Sequence, residues 1–364
     1  MLLCFSVPAS AQSDLVFPHL AVGGSPAYET VLQIINEVEA DNLITIDVFQ
    51  GLLAGSANGS PLAVKFEDGT AAATRSLTLA PFQELTTILG SSDGKLANGW
   101  VRIRSTLAGG KISGNLIFRQ RSGNTIVDSV GAAGQRFRRA IVQIDQREAG
   151  SNAGLAFANP EAMPVTVILD LFQGSNRIAA PLPITLQANQ HYARLISEIY
   201  PSFGNRQGTL IIETAVNRAI PFMALRLDGQ QLTSIPVRPL GFAFKYAVTS
   251  SGGTIVESGF WLFDMVAFNL IGTGKIETPA AVDLSEVTGS WSGTNFQFRY
   301  RRLLGGIPAG MVVFNGTSAG QESTVGADLK SKAITGKVTT IGADGQIISI
   351  NDFSAFHKFG DPPQ

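Results

Sequence analysis

Apolar and polar residues alternate with a period of two along much of the chain. In residues 43–49, Ile44, Ile46 and Val48 fall on one face, and residues 166–171 repeat the alternation. This pattern predicts half-buried antiparallel strands. Asp-Gly pairs recur between such segments and mark tight turns. The pattern therefore predicts short strands joined by turns over most of the sequence.

The chain also contains an internal repeat. Residues 30–51 align without a gap with residues 153–174, at an offset of 123. The matched pairs include Leu32 with Leu155, Asn36 with Asn159, Asp47 with Asp170, and Phe49-Gln50-Gly51 with Phe172-Gln173-Gly174. After a longer segment in the first copy, Leu77-Thr78-Leu79 aligns with Ile184-Thr185-Leu186, and Gln83 aligns with Gln190. Such self-similarity predicts two tandem copies of one domain, each a β-sandwich of roughly seven strands.

The C-terminal third does not align with the repeats but has the same strand pattern. We expect its core to be aromatic and to include Phe260, Trp261, Phe263, Phe268, Trp291, Phe296, Phe298 and Tyr300. The predicted fold is all-β, with two tandem Ig-like sandwiches followed by a small sandwich or barrel. The predicted domains are a signal peptide (1–11), repeat 1 (12–134), repeat 2 (135–238) and the C-terminal domain (239–364).

One segment in each repeat departs from the strand pattern. Residues 192–200 place apolar side chains at helical spacing before Pro201, and residues 84–89 are their shorter counterpart. We expect a helical turn at both places, with its apolar side against the end of the sandwich.

Several motifs of residues 16–237 resemble those of secreted bacterial proteins built from tandem Ig-like or fibronectin-type modules. The resemblance is carried by Phe17-Pro18-His19, by the paired Asn and Asp-x-Phe-Gln-Gly strands, and by Glu198-Ile199-Tyr200-Pro201. It implies a sandwich fold and export from the cell. It brings no catalytic residue to any position of this chain.

The N-terminus and the composition also favour a secreted, periplasmic or cell-surface location. Apolar residues 2–7 precede Ala9-Ser10-Ala11, a small-x-small cleavage pattern, although the charged start of a signal peptide is missing. Cleavage there would remove Cys4, the single cysteine, and with it disulfides and cysteine-bound zinc. No later apolar stretch reaches the ~18 residues of a membrane span. A formal net charge of −1 argues against nucleic acid as a partner.

One motif suggests catalysis. The Gly316–Gly320 segment matches G-x-S-x-G around Ser318, and Asp328 and His357 follow in the order found in α/β-hydrolases. The nucleophile elbow requires a parallel strand before it and a helix after it, whereas residues 321–326 have no helical face. We therefore interpret the motif as a hairpin loop and expect no catalytic residues. A serine hydrolase centred on Ser318 is the alternative.

Metal and cofactor sites are not expected. The three histidines of the chain lack metal-binding spacing. Glu37, Glu39 and Asp41 could offer oxygen ligands to calcium, but repeat 2 has no such acids at the matching positions. A solvated loop is the preferred interpretation there.

Trp100 is the best candidate for ligand binding. Alternation points Val101 and Ile103 inward and leaves Trp100, Arg102 and Arg104 side by side on the opposite face. An exposed indole beside two guanidinium groups could bind a sugar ring or an anionic polymer. The competing interpretation is that another part of the chain covers this face.

These observations predict an exported, non-enzymatic protein that acts in binding, adhesion or scaffolding. The expected partner is a polysaccharide or another cell-envelope component, and the sequence does not predict the oligomeric state. A carrier of small apolar ligands, with its site in the C-terminal domain, is a further alternative. That function would require an empty cavity lined by aromatic side chains.

Overall fold

The structure is a computed structural model of the chain. It describes residues 14–51, 58–133, 136–174, 176–214, 219–229, 231–240, 242–266, 269–278, 282–292, 295–304, 307–318 and 332–357. The predicted signal peptide lies outside these residues.

Residues 14–133 form two antiparallel sheets. The strands are β1 (Asp14–Val22), β2 (Ala27–Asn36), β3 (Asn42–Gln50), β4 (Val64–Lys65), β5 (Ala71–Ala72), β6 (Thr74–Leu79), β7 (Glu84–Ser91), β8 (Ala97–Ser105), β9 (Ile112–Ser122) and β10 (Thr125–Ala133). One sheet has the order β1-β8-β3-β6 and the other β10-β9-β2-β7-β4-β5. Their facing apolar side chains form one core, in which Ile44, Ile46 and Val48 of β3 are fully buried, as the alternation predicts.

Residues 136–239 form a second pair of sheets. The elements are β11 (Arg136–Phe137), β12 (Arg139–Asp145), β13 (Ser151–Ala158), β14 (Val165–Gln173), β15 (Asn176–Arg177), β16 (Leu182–Leu186), β17 (His191–Leu195), α1 (Ile196–Ile199), β18 (Gln207–Thr214), β19 (Ile220–Asp228), β20 (Gln231–Ile235) and β21 (Val237–Pro239). One sheet has the order β11-β19-β13-β17, with β20 beside β19. The other has the order β15-β14-β18-β12-β21, with β16 beside β14.

The remaining strands form one closed antiparallel barrel, which is one of the two predicted forms of this domain. They are β22 (Phe242–Thr249), β23 (Ile255–Val266), β24 (Asn269–Thr278), β25 (Val282–Ser292), β26 (Asn295–Leu304), β27 (Ile307–Ser318), β28 (Lys332–Gly342) and β29 (Ile347–His357). Each strand pairs with the next, and β22 also pairs with β29. The all-β fold class with sandwich-like domains is confirmed.

The barrel interior is aromatic where its side chains are described. Trp261 stacks on Tyr246 with ring centroids 4.1 Å apart and meets Phe298 edge-on at 4.3 Å. Phe296, Phe298 and Tyr300 are buried, as predicted. The predicted core side chains of Phe260, Phe263, Phe268 and Trp291 lie outside the described part of the chain. The described rings contact one another, so they fill this part of the interior rather than line a cavity.

The residues shared by the two repeats support matching turns. The Nδ2 amide of Asn36 donates to the carbonyls of Ala40, Leu79 and Ala80 at 2.9, 3.3 and 2.8 Å. In repeat 2, the amide of Asn159 donates to Met163, Leu186 and Gln187 at 2.9, 3.1 and 3.1 Å. Both asparagines are fully buried. Buried carbonyls need hydrogen-bond donors. Each asparagine therefore supplies a donor to three backbone carbonyls that strand pairing does not satisfy.

The prediction of matching helical turns is only half correct. In repeat 2 the helix α1 exists, but it is shorter than expected because His191–Leu195 pairs with β13 as a strand. In repeat 1 the prediction is wrong, since residues 84–89 belong to strand β7. Thr86 and Thr87 are β-branched and pair with Gln33 and Leu32 of β2, so pairing overrides the helical spacing.

Replacing Asn159 with alanine should destabilise repeat 2, because three carbonyls lose their donor. We expect the free energy of unfolding to fall by about 2–3 kcal/mol. Urea unfolding of the full chain measures the change. The exposed Asn124, replaced by alanine in the same way, is the matched control and should shift the midpoint little. Equal midpoints for the Asn159 variant and wild type would contradict a supporting role for this amide.

Candidate functional site

The structure places Trp100 at the junction of the two repeats and not on an exposed face. Its indole is fully buried, so the predicted ligand platform at this residue is wrong. The indole Nε1 donates to the carbonyl of Asn189 in repeat 2 at 2.8 Å, and the ring stacks on Phe49 with centroids 4.3 Å apart. Val16, Phe49 and Trp100 of repeat 1 form one buried cluster with Ala158 of repeat 2. A large aromatic ring beside a second domain is buried by that domain rather than left in water.

The two arginines beside Trp100 both lie near Asp47, and one of them also reaches repeat 2. Arg102 donates from Nη1 to the carbonyl of Pro160 in repeat 2 at 3.2 Å. The Nη2 atoms of Arg104 and Arg102 lie 2.7 and 3.8 Å from Oδ2 of the buried Asp47. Desolvation lowers the pKa of Arg102, and the nearby charge of Arg104 adds to that effect. The predicted trio thus lies on one face, as expected. Trp100 and Arg102 contact repeat 2, whereas Arg104 pairs with Asp47 of its own repeat and stays partly exposed.

A pair of histidines forms the next part of the junction. His19 of β1 and His191 of β17 stack with ring centroids 5.3 Å apart, and His19 Nδ1 lies 3.3 Å from His191 Nε2. Desolvation lowers the pKa of His19 to about 4. Desolvation also lowers the pKa of His191, and the charges of His19 and Arg194 act in the same direction. Both imidazoles are therefore neutral at pH 7, and one donates a hydrogen bond to the other.

The backbone of His191 is clamped by repeat 1. Asn58 donates from Nδ2 to the carbonyl of His191 at 2.9 Å, and its Oδ1 accepts the His191 N–H at 3.0 Å. The side-chain amide thus forms the same two bonds that a paired strand residue would form. An ion pair between Arg136 and Asp14 adds a charged contact where the chain passes from one repeat to the other.

A cleft of about 360 Å³ lies beside the histidine pair, between the repeats. Repeat 1 contributes His19, Tyr28, Asn98 and Phe118, among others. Most of the lining from repeat 2 is aliphatic and consists of Leu155, Ala156, Ala193, Leu195, Met223, Leu225, Leu227 and Leu232. Arg194 and Glu198 add the charged groups of the lining. An apolar cleft at a domain junction with a few polar groups is a common form of small-molecule site.

Small residues on repeat 2 leave this space open. Gly154 and Ala156 alternate with inward-facing Leu155 along β13, and Ala156 pairs with Ala193 on β17. Three neighbouring positions therefore have short side chains on the face toward repeat 1. This cleft could not be predicted from the sequence, because its walls come from strands that are far apart in the chain. The one signal that the sequence offers is the presence of small residues, Gly154 and Ala156, at alternate positions of β13.

The described residues offer little other chemistry. Among them, no three His, Cys, Asp or Glu side chains are grouped so that they could hold a metal ion. Glu37, Glu39 and Asp41 therefore do not form such a group. None of the described helices has the length and hydropathy of a membrane-spanning segment. Asp328 lies outside the described residues, as do the side chains of Ser318 and His357.

Comparisons with known proteins add no identity. No protein-family model matches the chain, and no curated protein matches it. The junction and its cleft are therefore interpreted from their own geometry.

Replacing Trp100 with alanine should destabilise the junction, because it leaves a cavity and an unpaired carbonyl at Asn189. We expect a loss of about 3–5 kcal/mol in the free energy of unfolding. Trp100→Phe keeps most of the apolar ring and should lose about 1–2 kcal/mol. Urea unfolding checks both values. Thr209 occupies the matching strand position in repeat 2, and Thr209→Ala is the control. If Trp100→Ala unfolds like this control, the indole does not hold the junction.

Acid pH should lower the stability of the folded protein through the pair of buried histidines, His19 and His191. The unfolded pKa is near 6.5 and the folded pKa of His19 is about 4. Between these values the unfolded chain binds the proton and the native chain does not, so stability falls as the pH decreases from about 6.5 toward 4. The midpoint of thermal unfolding should be lower at pH 5 than at pH 7, by on the order of a few degrees. His19→Gln should make this difference smaller. An equal drop in this variant would show that other groups cause the acid effect.

Proposed function

We propose that this chain is an exported, non-enzymatic scaffolding or binding protein of the cell surface or extracellular space. Its first two domains would act as one rigid unit that holds surfaces of both repeats at a fixed spacing. Export is supported by the Ala9-Ser10-Ala11 pattern and by the low content of charged residues, 15%.

The burial of Trp100 against repeat 2 is the observation that carries this proposal. Its hydrogen bond to Asn189, the Asn58 clamp and the stacked histidines are three different contacts between the same two domains. Independent contacts at separate points restrict rotation as well as separation. Domains joined by a flexible linker need no such set of buried contacts. The shared polar residues of the repeats support turns and ion pairs, which also favours a structural role over a catalytic one.

The burial of the Trp100 indole makes a polysaccharide partner less well supported. A polysaccharide or cell-envelope component was expected to stack on Trp100, and that surface is occupied by repeat 2. We therefore place scaffolding ahead of sugar binding. The group of secreted bacterial proteins with tandem modules remains the proposed relationship, supported by the sequence motifs alone.

The alternative functions receive less support. Ser318 ends β27, which pairs antiparallel with β26 and β28, whereas a nucleophile elbow follows a parallel strand. The carrier function of the barrel would need space among the aromatic rings, and the described rings pack on one another.

A distance measurement between the repeats tests the proposed rigid unit. Spin labels attached to cysteines at Thr78 and Thr185, with Cys4 replaced by serine, occupy matching exposed positions in the two repeats. We expect one narrow distribution of label distances by pulsed electron paramagnetic resonance. Asn58→Ala should broaden it, because His191 loses its clamp. Thr209→Ala should leave it unchanged. A broad distribution in the unmutated background would overturn the proposed scaffold.

A further inference from the structure

We propose that the cleft between the repeats binds a small amphipathic carboxylate, with its apolar chain against the leucines of repeat 2 and its carboxylate beside Arg194. This inference goes beyond the scaffolding role and does not depend on it.

The walls of the cleft favour a ligand with an apolar chain. Its floor is buried where the two repeat cores meet, since Ala156, Met223 and Leu225 of repeat 2 belong to the same apolar cluster as Phe118 of repeat 1. Leu227 and Leu232 extend this wall and are only partly buried. Binding of an aliphatic chain would remove their exposed area from water. Each methylene that is buried makes the free energy of binding more favourable. A volume of about 360 Å³ is within the range of small-molecule sites.

Arg194 would provide the charged contact to the ligand. This half-buried guanidinium lines the cleft, and its one hydrogen bond among the described residues joins Nη1 to the carbonyl of Ala193 at 3.1 Å. No described carboxylate lies within ion-pair distance of it. A guanidinium with free donors beside an apolar wall matches a carboxylate head group in charge and geometry.

Glu198 is the competing charge in the cleft, so its environment must be compared with that of Arg194 to predict the charge of the ligand. Its Oε2 accepts the backbone N–H of Leu195 at 2.9 Å, so the carboxylate is already held at the start of α1. Glu198 is exposed, whereas Arg194 is half-buried. The stronger field inside the cleft is therefore positive, because burial reduces solvent screening. His19 is neutral at pH 7 and can add a hydrogen bond without adding charge.

Gly154 provides a way to close the cleft without strain. A Cβ atom built on Gly154 would lie 3.7 Å from both Leu195 Cδ2 and Leu227 Cδ1, which is ordinary contact. Both leucines line the cleft, so a leucine side chain at position 154 would project into the space that the ligand needs. The backbone there is an ordinary paired strand, which accepts any side chain.

Titration calorimetry of the full chain with octanoate, decanoate and dodecanoate at pH 7 tests the proposal. We expect one site per chain, with affinity rising about fourfold for each added methylene until the cleft is filled. Decanol should bind more weakly than decanoate, and decyltrimethylammonium should bind least. No saturable binding of any carboxylate at millimolar concentration would overturn the inference. A preference for the cationic ligand would overturn it as well.

Two variants locate the site. Arg194→Gln should weaken decanoate about 10- to 100-fold and leave decanol unchanged, because only the charged contact is lost. Gly154→Leu should abolish binding of both ligands while the thermal midpoint stays near that of wild type. Arg147→Gln changes an exposed arginine paired with Asp145 and should bind decanoate like wild type. Normal binding by the Gly154 variant, or an equal effect of the two arginine changes, would contradict the assignment.

Discussion

The indole of Trp100 must lose its water and still find an acceptor for its N–H, and the second repeat meets both needs. Its turn covers the ring and offers the carbonyl of Asn189. An unpaired indole N–H in an apolar interface would cost free energy, so this acceptor ties the turn to the ring. Arg102, the histidine pair and the Asn58 clamp all lie around this contact. The relative placement of the two repeats therefore depends on it.

The same duplicated framework serves two purposes in the two copies. Asn189 and its counterpart Phe82 both have positive φ angles, 62° and 57°, so the turn has the same shape in each repeat. In repeat 1 this turn leaves Phe82 exposed, whereas in repeat 2 it receives the indole. Likewise, Trp100 stands where repeat 2 has Thr209. The copies share the residues that form the turn and differ in those that contact the neighbouring domain.

Imperfect packing at this junction creates the cleft. The buried contacts around Trp100 fix the distance between the repeats, and short side chains on β13 and β17 then leave space beside them. Larger residues would have filled it, as protein interiors usually require. Arg194 and the neutral His19 border this space, so the region that holds the domains together also contains the clearest candidate for a ligand site.

Part of this structure could be predicted from residue order alone. Alternation along β3 identified its buried face, and the aligned asparagines identified a turn used twice, because both signals are local or repeated at a fixed offset. Residues 84–89 show the limit, since strand pairing with β2 overrode their helical spacing. The sequence also placed Trp100, Arg102 and Arg104 correctly on one face of β8. Whether that face met water or protein depended on Asn189 and Pro160, which lie in the other repeat. Burial is set by what packs against a strand, so only the tertiary structure could decide it.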